Sequence, residues 1–152
     1  MNLTRFGGLA LIVGAVACTD AIGPGRPTTD IEAAHQLWRA QNLHTYAFTL
    51  QRSCFCGNVH PLYVVVLSDT VGGVLDLETT ASVDRQLGQT VEDLFTFIQG
   101  AIDRHAQRID ATYDAAKGFP TNIDYDGAAT IADDEISYRV SDVHPITPQT
   151  SH

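Results

Sequence analysis

The residues most able to do chemistry in this chain are two cysteines separated by one phenylalanine, Cys54-Phe55-Cys56, with His60 close behind. Two thiols so near each other support three chemistries. In an oxidising compartment they can close a disulfide, although so small a ring bends the backbone and strains the bond. With His60 as third ligand they can hold a soft metal, but zinc would want a fourth ligand that the sequence does not name. Strained disulfides are also the more reducible kind, so the pair could exchange electrons with other thiols. We read Cys54 and Cys56 first as a structural disulfide. A metal set of Cys54, Cys56 and His60, and thiol redox exchange, stand as the alternatives.

Two further constellations fall short of a recognisable site. Asp124, Asp126 and Glu135 occupy the first, third and last positions of a calcium-loop pattern, yet Ala128 and Ala129 stand where that pattern needs an oxygen ligand and a glycine. The flanks alternate as strands rather than helices, so Asp126-Gly127 reads as a hairpin turn. The six histidines share no spacing: His35 and His105 fall on helical patterns, His44 and His60 at strand boundaries, His144 and His152 near the end. Neither a Gly-x-Ser-x-Gly elbow nor a His-Glu-x-x-His pair occurs, which leaves no visible nucleophile or zinc triad. We therefore expect no catalytic residue, no cofactor and no enzyme activity, with the histidines acting as packing and surface groups.

The start of the chain concerns location. Arg5 supplies a positive head, Leu9 to Val16 form an apolar stretch too short for a finished spanning helix, and Ala15-Val16-Ala17 lead into Cys18. This is the form of a lipoprotein export signal, residues 1–17, with Cys18 as the lipidated residue. The competing reading is an ordinary secretory signal cut after Ala17. Lipidation of Cys18 leaves two cysteines of the three, which can pair with each other. Several acyl chains hold a protein at a membrane far more firmly than one. Thr19 rather than an acid follows the cysteine, so in a bacterium with two membranes we expect the periplasmic side of the outer membrane. Residues 18–29, with Gly23-Pro24-Gly25 and Arg26-Pro27, read as a lipidated tether, and residues 144–152 as a loose tail.

Charge narrows the partners. Without the export segment the chain keeps 8 basic against 18 acidic residues. Such acidity is repelled by phosphates, which argues against nucleic acid and against anionic headgroups as a second anchor. The expected partners are the membrane, through the lipid, and an envelope protein.

Residues 30–143 suffice for a single domain with one core. Thr29-x-x-Glu32 has the form of a capping box ahead of Ile31, Ala34, Leu37 and Trp38, a helical face that should end near Asn42. Tyr46, Phe48 and Leu50 alternate with Ala47, Thr49 and Gln51, the period of a half-buried strand, which runs straight into Cys54. Leu62 to Leu67, a break at Ser68-Asp69-Thr70, and Val71 to Leu77 predict a hairpin whose first strand is central. Thr90-Val91-Glu92-Asp93 opens the clearest helix, with Val91, Leu94, Phe95, Ile98, Ala101, Ile102 and His105 on one face and Arg104 and Arg108 at its negative end. Ile109, Ala111 and Tyr113, then Ile123 and Tyr125, then Ile136, Tyr138 and Val140 predict three more strands. Short connections make antiparallel neighbours. The expected fold class is α+β, a single antiparallel sheet of about five to six strands with two helices packed on one face. Phe48, Phe95, Ile98, Tyr113 and Tyr138 should share its core.

Four ordered motifs carry a resemblance. They are Tyr46-Ala47-Phe48-Thr49-Leu50-Gln51-Arg52-Ser53-Cys54-Phe55-Cys56, Thr90-Val91-Glu92-Asp93-Leu94-Phe95, Ala111-Thr112-Tyr113-Asp114 through Gly118-Phe119-Pro120-Thr121, and Ala132-Asp133-Asp134-Glu135. Together, over roughly Trp38 to Val143, the chain resembles the bacterial lipoprotein family built on domain of unknown function 6174. That resemblance implies an exported, often lipidated protein and carries over no activity, ligand or catalytic residue. The order of elements also resembles small extracytoplasmic modules of the PepSY and beta-lactamase-inhibitor type, at the level of fold alone. The expected function is a membrane-anchored, non-catalytic binding module of the cell envelope; the alternative is a metal-binding or thiol-redox protein working through Cys54 and Cys56.

Overall fold

The computed structural model describes residues 27–55, 60–128 and 134–147, with side chains from residue 30 onward. The expectations for the export segment, Cys18, the start of the tether, Cys56, Ala129 and His152 lie outside the described residues.

Helix α1 (Pro27–Ala40) opens the described chain. It begins two residues ahead of the capping box read at Thr29, which therefore lies within the first turn instead of before it. Proline suits that opening, since its missing N–H would be without an intrahelical partner there anyway. Gln41 and Asn42 close the helix by donating to the carbonyls of Trp38 and Arg39, with Asn42 in the left-handed region at φ 51°. Strand β1 (Tyr46–Cys54) follows, then the hairpin β2 (Leu62–Leu67) and β3 (Thr70–Asp76). Ser68 and Asp69 both have positive φ, 49° and 64°, the left-handed pair that a two-residue hairpin turn requires. Helix α2 (Val91–Asp103) begins with a true capping box: Asp93 N–H donates to the Thr90 hydroxyl at 3.0 Å, and Thr90 N–H to the Asp93 carboxylate at 2.8 Å. The next amide, Val91 N–H, donates to the buried Tyr46 hydroxyl at 3.1 Å, so β1 itself holds the start of α2. Strands β4 (Arg108–Tyr113), β5 (Pro120–Asp126) and β6 (Ile136–Pro145) complete the fold.

The six strands form one antiparallel sheet in the order β3-β2-β1-β6-β5-β4. The α+β expectation holds. Each half of the chain runs helix then three-stranded meander, and the last strand, β6, returns to pair with the first, β1. Thus β1 and β6 lie at the centre, and β2 is interior but one place from the edge. Tyr46, Phe48 and Leu50 of β1, with Val64, Val66, Ile123, Tyr138 and Val140, join Ile31, Trp38, Leu94, Phe95 and Ile98 in one core. Phe48 and Ile98 are fully buried, Phe95 and Tyr138 nearly so, while Tyr113 packs against this core only partly covered. β6 carries one extra residue opposite β1 between Ala47 and Thr49, with Asp142 at φ 58°. This bulge shifts the alternation, so that Val143 as well as Val140 faces the core and His144 turns to the other side.

Several boundaries differ from the sequence reading. His105 and Arg108 are not on α2, which stops at Asp103; His105 is exposed at φ 55°, and Arg108 already opens β4. Asp126-Gly127 is not a two-residue hairpin turn, because β5 and β6 are joined by residues 127–135. His144 and Pro145 belong to β6, paired with Ala47 and Tyr46, and not to a tail. A main-chain pairing decides that, and side-chain periodicity carries no record of it.

Candidate functional site

Cys54 is the last residue of β1, half-buried opposite Ile136 of β6, and Phe55 beyond it is 79 % exposed. Cys56 lies outside the described residues. His60 meets two carboxylates: its Nδ1 is 2.9 Å from an Asp76 oxygen and its Nε2 is 3.3 Å from Glu78. Asp76 is itself buried and accepts the amides of Glu78 and Thr79, both at 2.9 Å, which shapes the turn after β3. Among the described residues no group of three His, Cys, Asp or Glu side chains is arranged to hold a metal ion.

A neutral imidazole donates from one nitrogen only, so His60 satisfies both carboxylates only when protonated. The Asp76 hydrogen bond, with Glu78 behind it, raises the His60 pKa above its ordinary 6.5. Asp76 moves the other way, to about 2, through the Thr79 amide first and then His60. The His60 contribution to stability is complete below 6.5 and fades as pH rises through the higher folded value. The Asp76 contribution is complete above 3.8 and is lost as pH falls towards about 2. The clamp should therefore be strongest between 3.8 and 6.5. In melting curves recorded against pH, His60→Gln is expected to remove the decline above that window and keep the acid-side loss. A profile superimposable on the native one would show that the clamp contributes nothing.

The larger constellation is on the sheet face that the helices leave uncovered. Register sets two polar rows side by side across four strands: Gln51, Arg139, Asn122 and Thr112 in one, Ser53, Ser137, Asp124 and Asp110 in the next. Ser137 Oγ and Asn122 Nδ2 each donate to an Asp124 oxygen at 2.6 Å. The Ser137 bond, helped by Asn122 and by the positive Arg108 and Arg139, holds the Asp124 carboxyl below its usual range against a burial effect of opposite sign. Thr112 and Thr121 share a hydrogen bond of 2.9 Å beside it. Gln51, Ser53, Asp124, Ser137 and Arg139 line a hollow of about 280 Å³. It adjoins a second hollow of about 350 Å³ lined by Ser53, Cys54, Phe55, Glu135 and Ser137. Cys54 and Phe55 thus form one rim of the polar face.

Asp124, at the first position of the calcium-loop pattern, sits inside β5 with a hydrogen bond on each oxygen, while Glu135 is exposed in the following loop. The donors a calcium loop needs in one turn are split between a strand and a loop. The described histidines do not converge either. His35 stacks on Phe95 at 4.3 Å with its Nε2 2.6 Å from Glu92, His44 pairs with Asp69 at 2.8 Å, and His144 lies 3.4 Å from the Tyr63 hydroxyl. His35 and Phe95 also line a groove of about 490 Å³ between the helices, with Ile31 and Gln99. Gln51, Ser53, Ser137, Asn122 and Arg139 were not singled out from sequence. The available signal was their place on the outward positions of their strands, which gives a face but not which strands adjoin.

Among the described residues no helix is long and apolar enough to cross a membrane. No curated protein and no solved structure matches the chain. The model of a family of unknown function, DUF6174, matches residues 30–145, which covers α1 from Asp30 and every strand of the sheet. By that match, over most of its length, the chain belongs to the DUF6174 family.

Proposed function

We propose that this protein is an exported, lipid-anchored binding module of the cell envelope, with no catalytic machinery of its own, that presents its uncovered sheet face to a ligand. The observation that carries this reading is the pre-ordered polar face. At its centre Asp124 is held by Ser137 from the neighbouring strand and by Asn122 along its own, the face is not covered by either helix, and the exposed Phe55 stands at its rim. Ser137 donates to Asp124, which is held well below the pKa a general base at neutral pH would need, so the pair fits positioning better than nucleophilic attack.

Anchoring rests on Cys18 behind its apolar run, with the outer membrane as destination in a two-membrane host. In that oxidising setting Cys54 and Cys56 form a disulfide that ties off the end of β1. A partner of the envelope reaches the sheet face from the side opposite the helices.

One fractionation and one mass measurement test this reading. The native protein is expected in the membrane fraction, with acyl mass on Cys18, two hydrogens missing from Cys54 and Cys56, and no stoichiometric metal. Cys18→Ala should stay unprocessed or become soluble. Unlipidated mature protein in the soluble fraction would overturn the anchor. Reduced thiols with bound zinc or copper would replace the disulfide by the metal alternative.

A further inference from the structure

We infer that the hollow over β1, β5 and β6 is a saccharide site, taking an uncharged oligosaccharide whose hydroxyls bond Gln51, Ser53, Asp124 and Arg139 while one sugar ring lies against Phe55. The inference rests on the reading of the chain as a binding module and names the chemistry of its ligand.

The charge on this face excludes simpler ligands. An anion placed against Arg139 would also meet Asp124 and Glu135, and a cation placed against Asp124 would meet Arg139 and Arg108. An extended peptide needs a sheet edge for its backbone bonds, and this hollow lies over interior strands. A ligand that is neutral and rich in groups able both to donate and to accept fits what remains.

The available hydrogen-bonding capacity has that same mixed character. Asp124 accepts one bond on each oxygen, from Ser137 and Asn122, and a carboxylate has room for about four. Those two bonds fix the carboxylate without exhausting it. The side chains of Arg139, Gln51 and Ser53 donate to no described residue, leaving a planar fork, an amide and a hydroxyl turned to the hollow. Vicinal sugar hydroxyls present paired donors and acceptors at the spacing of such planar groups, and the C–H face of a pyranose is apolar. Phe55, 79 % exposed, supplies a flat apolar partner in the adjoining hollow, which shares Ser53 and Ser137 with the first. The two hollows, about 280 and 350 Å³, are together large enough for a ligand of several rings.

The test uses the mature full-length protein in a zwitterionic detergent free of sugar headgroups, titrated separately with chitotetraose, maltotetraose, cellotetraose and inorganic phosphate. Amide resonances of Ser53, Asp124, Ser137 and Arg139 are expected to shift saturably with at least one oligosaccharide and not with phosphate. Arg139→Ala and Phe55→Ala should each weaken that binding by about tenfold or more, the loss expected for a charge-assisted hydrogen bond or a stacked ring. Both residues are exposed, so unchanged melting curves keep the comparison free of unfolding. Shifts with phosphate alone, shifts confined to the groove between the helices, or no shift with any of the three sugars would overturn the inference. A cross-link from position 51 to an envelope protein, without sugar binding, would overturn it too while leaving the binding-module reading standing. Failure of the anchor would instead appear in the Cys18 measurement.

Discussion

Phe95→Ala is expected to lower the unfolding free energy by ~3–5 kcal/mol, the range for removing a buried aromatic ring. Phe95 is 2 % exposed and lies between two other rings, stacked on His35 at 4.3 Å and on Tyr113 at 6.0 Å. It therefore joins α1, α2 and β4 at a single point. Truncation leaves a cavity between elements whose backbones are held elsewhere, by the capping box of α2 and the β4–β5 ladder, so the gap closes only in part. Since a small domain is stable by only about 5–15 kcal/mol, the loss is a large fraction of the whole. Urea unfolding followed by circular dichroism would measure it; an unchanged midpoint would mean that this face of α2 does not pack as described.

Gly118→Ala should cost roughly 2–5 kcal/mol, the sum of a left-handed non-glycine residue and an overpacked contact. Gly118 has φ 83°, and a Cβ there would come within 2.2 Å of the Ala34 carbonyl oxygen and 2.7 Å of the Trp38 amide nitrogen. Both obstacles are backbone atoms of α1, so no side-chain rotation relieves the clash and the helix must move. The turn is held from both sides, since Gly118 N–H donates to the Asp114 carbonyl and Asp114 N–H to the Phe119 carbonyl. Phe119, next to it, sits against Trp38 with ring centroids 6.5 Å apart, so displacement of α1 would also disturb the core. Gly73→Ala is the matched control, because nothing lies within 4 Å of the added methyl. Equal melting temperatures for the two variants would show that α1 does not press on this turn.

Much of the secondary structure was legible because its causes are local. The alternation in Tyr46-Ala47-Phe48-Thr49-Leu50, the apolar face from Val91 to Ala101 and the Thr90 cap each act within a few residues, and all three elements stand where their patterns predict them. The errors fall where a local signal had a distant competitor. Thr29 has capping chemistry, yet the helix already runs from Pro27. His105 continues the helical spacing of α2, but the chain turns at Arg104, whose amide bonds back to Gly100, and leaves His105 outside. His144 and Pro145 show no periodic pattern of their own, and β1 recruits them by offering backbone partners.

The sequence by itself determined the class of fold, one sheet with helices on a single face, because hydrophobic period and short connections are properties of neighbouring residues. It also determined the acidity of the chain and the absence of familiar catalytic motifs. Only the tertiary structure decided that β6 inserts between β1 and β5, since strand order depends on which backbone edges meet after the chain has crossed the sheet. That single placement creates the candidate site: Gln51 and Ser53 of β1, Ser137 and Arg139 of β6 and Asp124 of β5 are far apart in the chain and become adjacent only through register. The same holds for His60, to whose two nitrogens the fold brings Asp76 and Glu78 from the far end of the β2–β3 hairpin. Short-range spacing records which side of an element a residue occupies, and long-range pairing decides what it meets there.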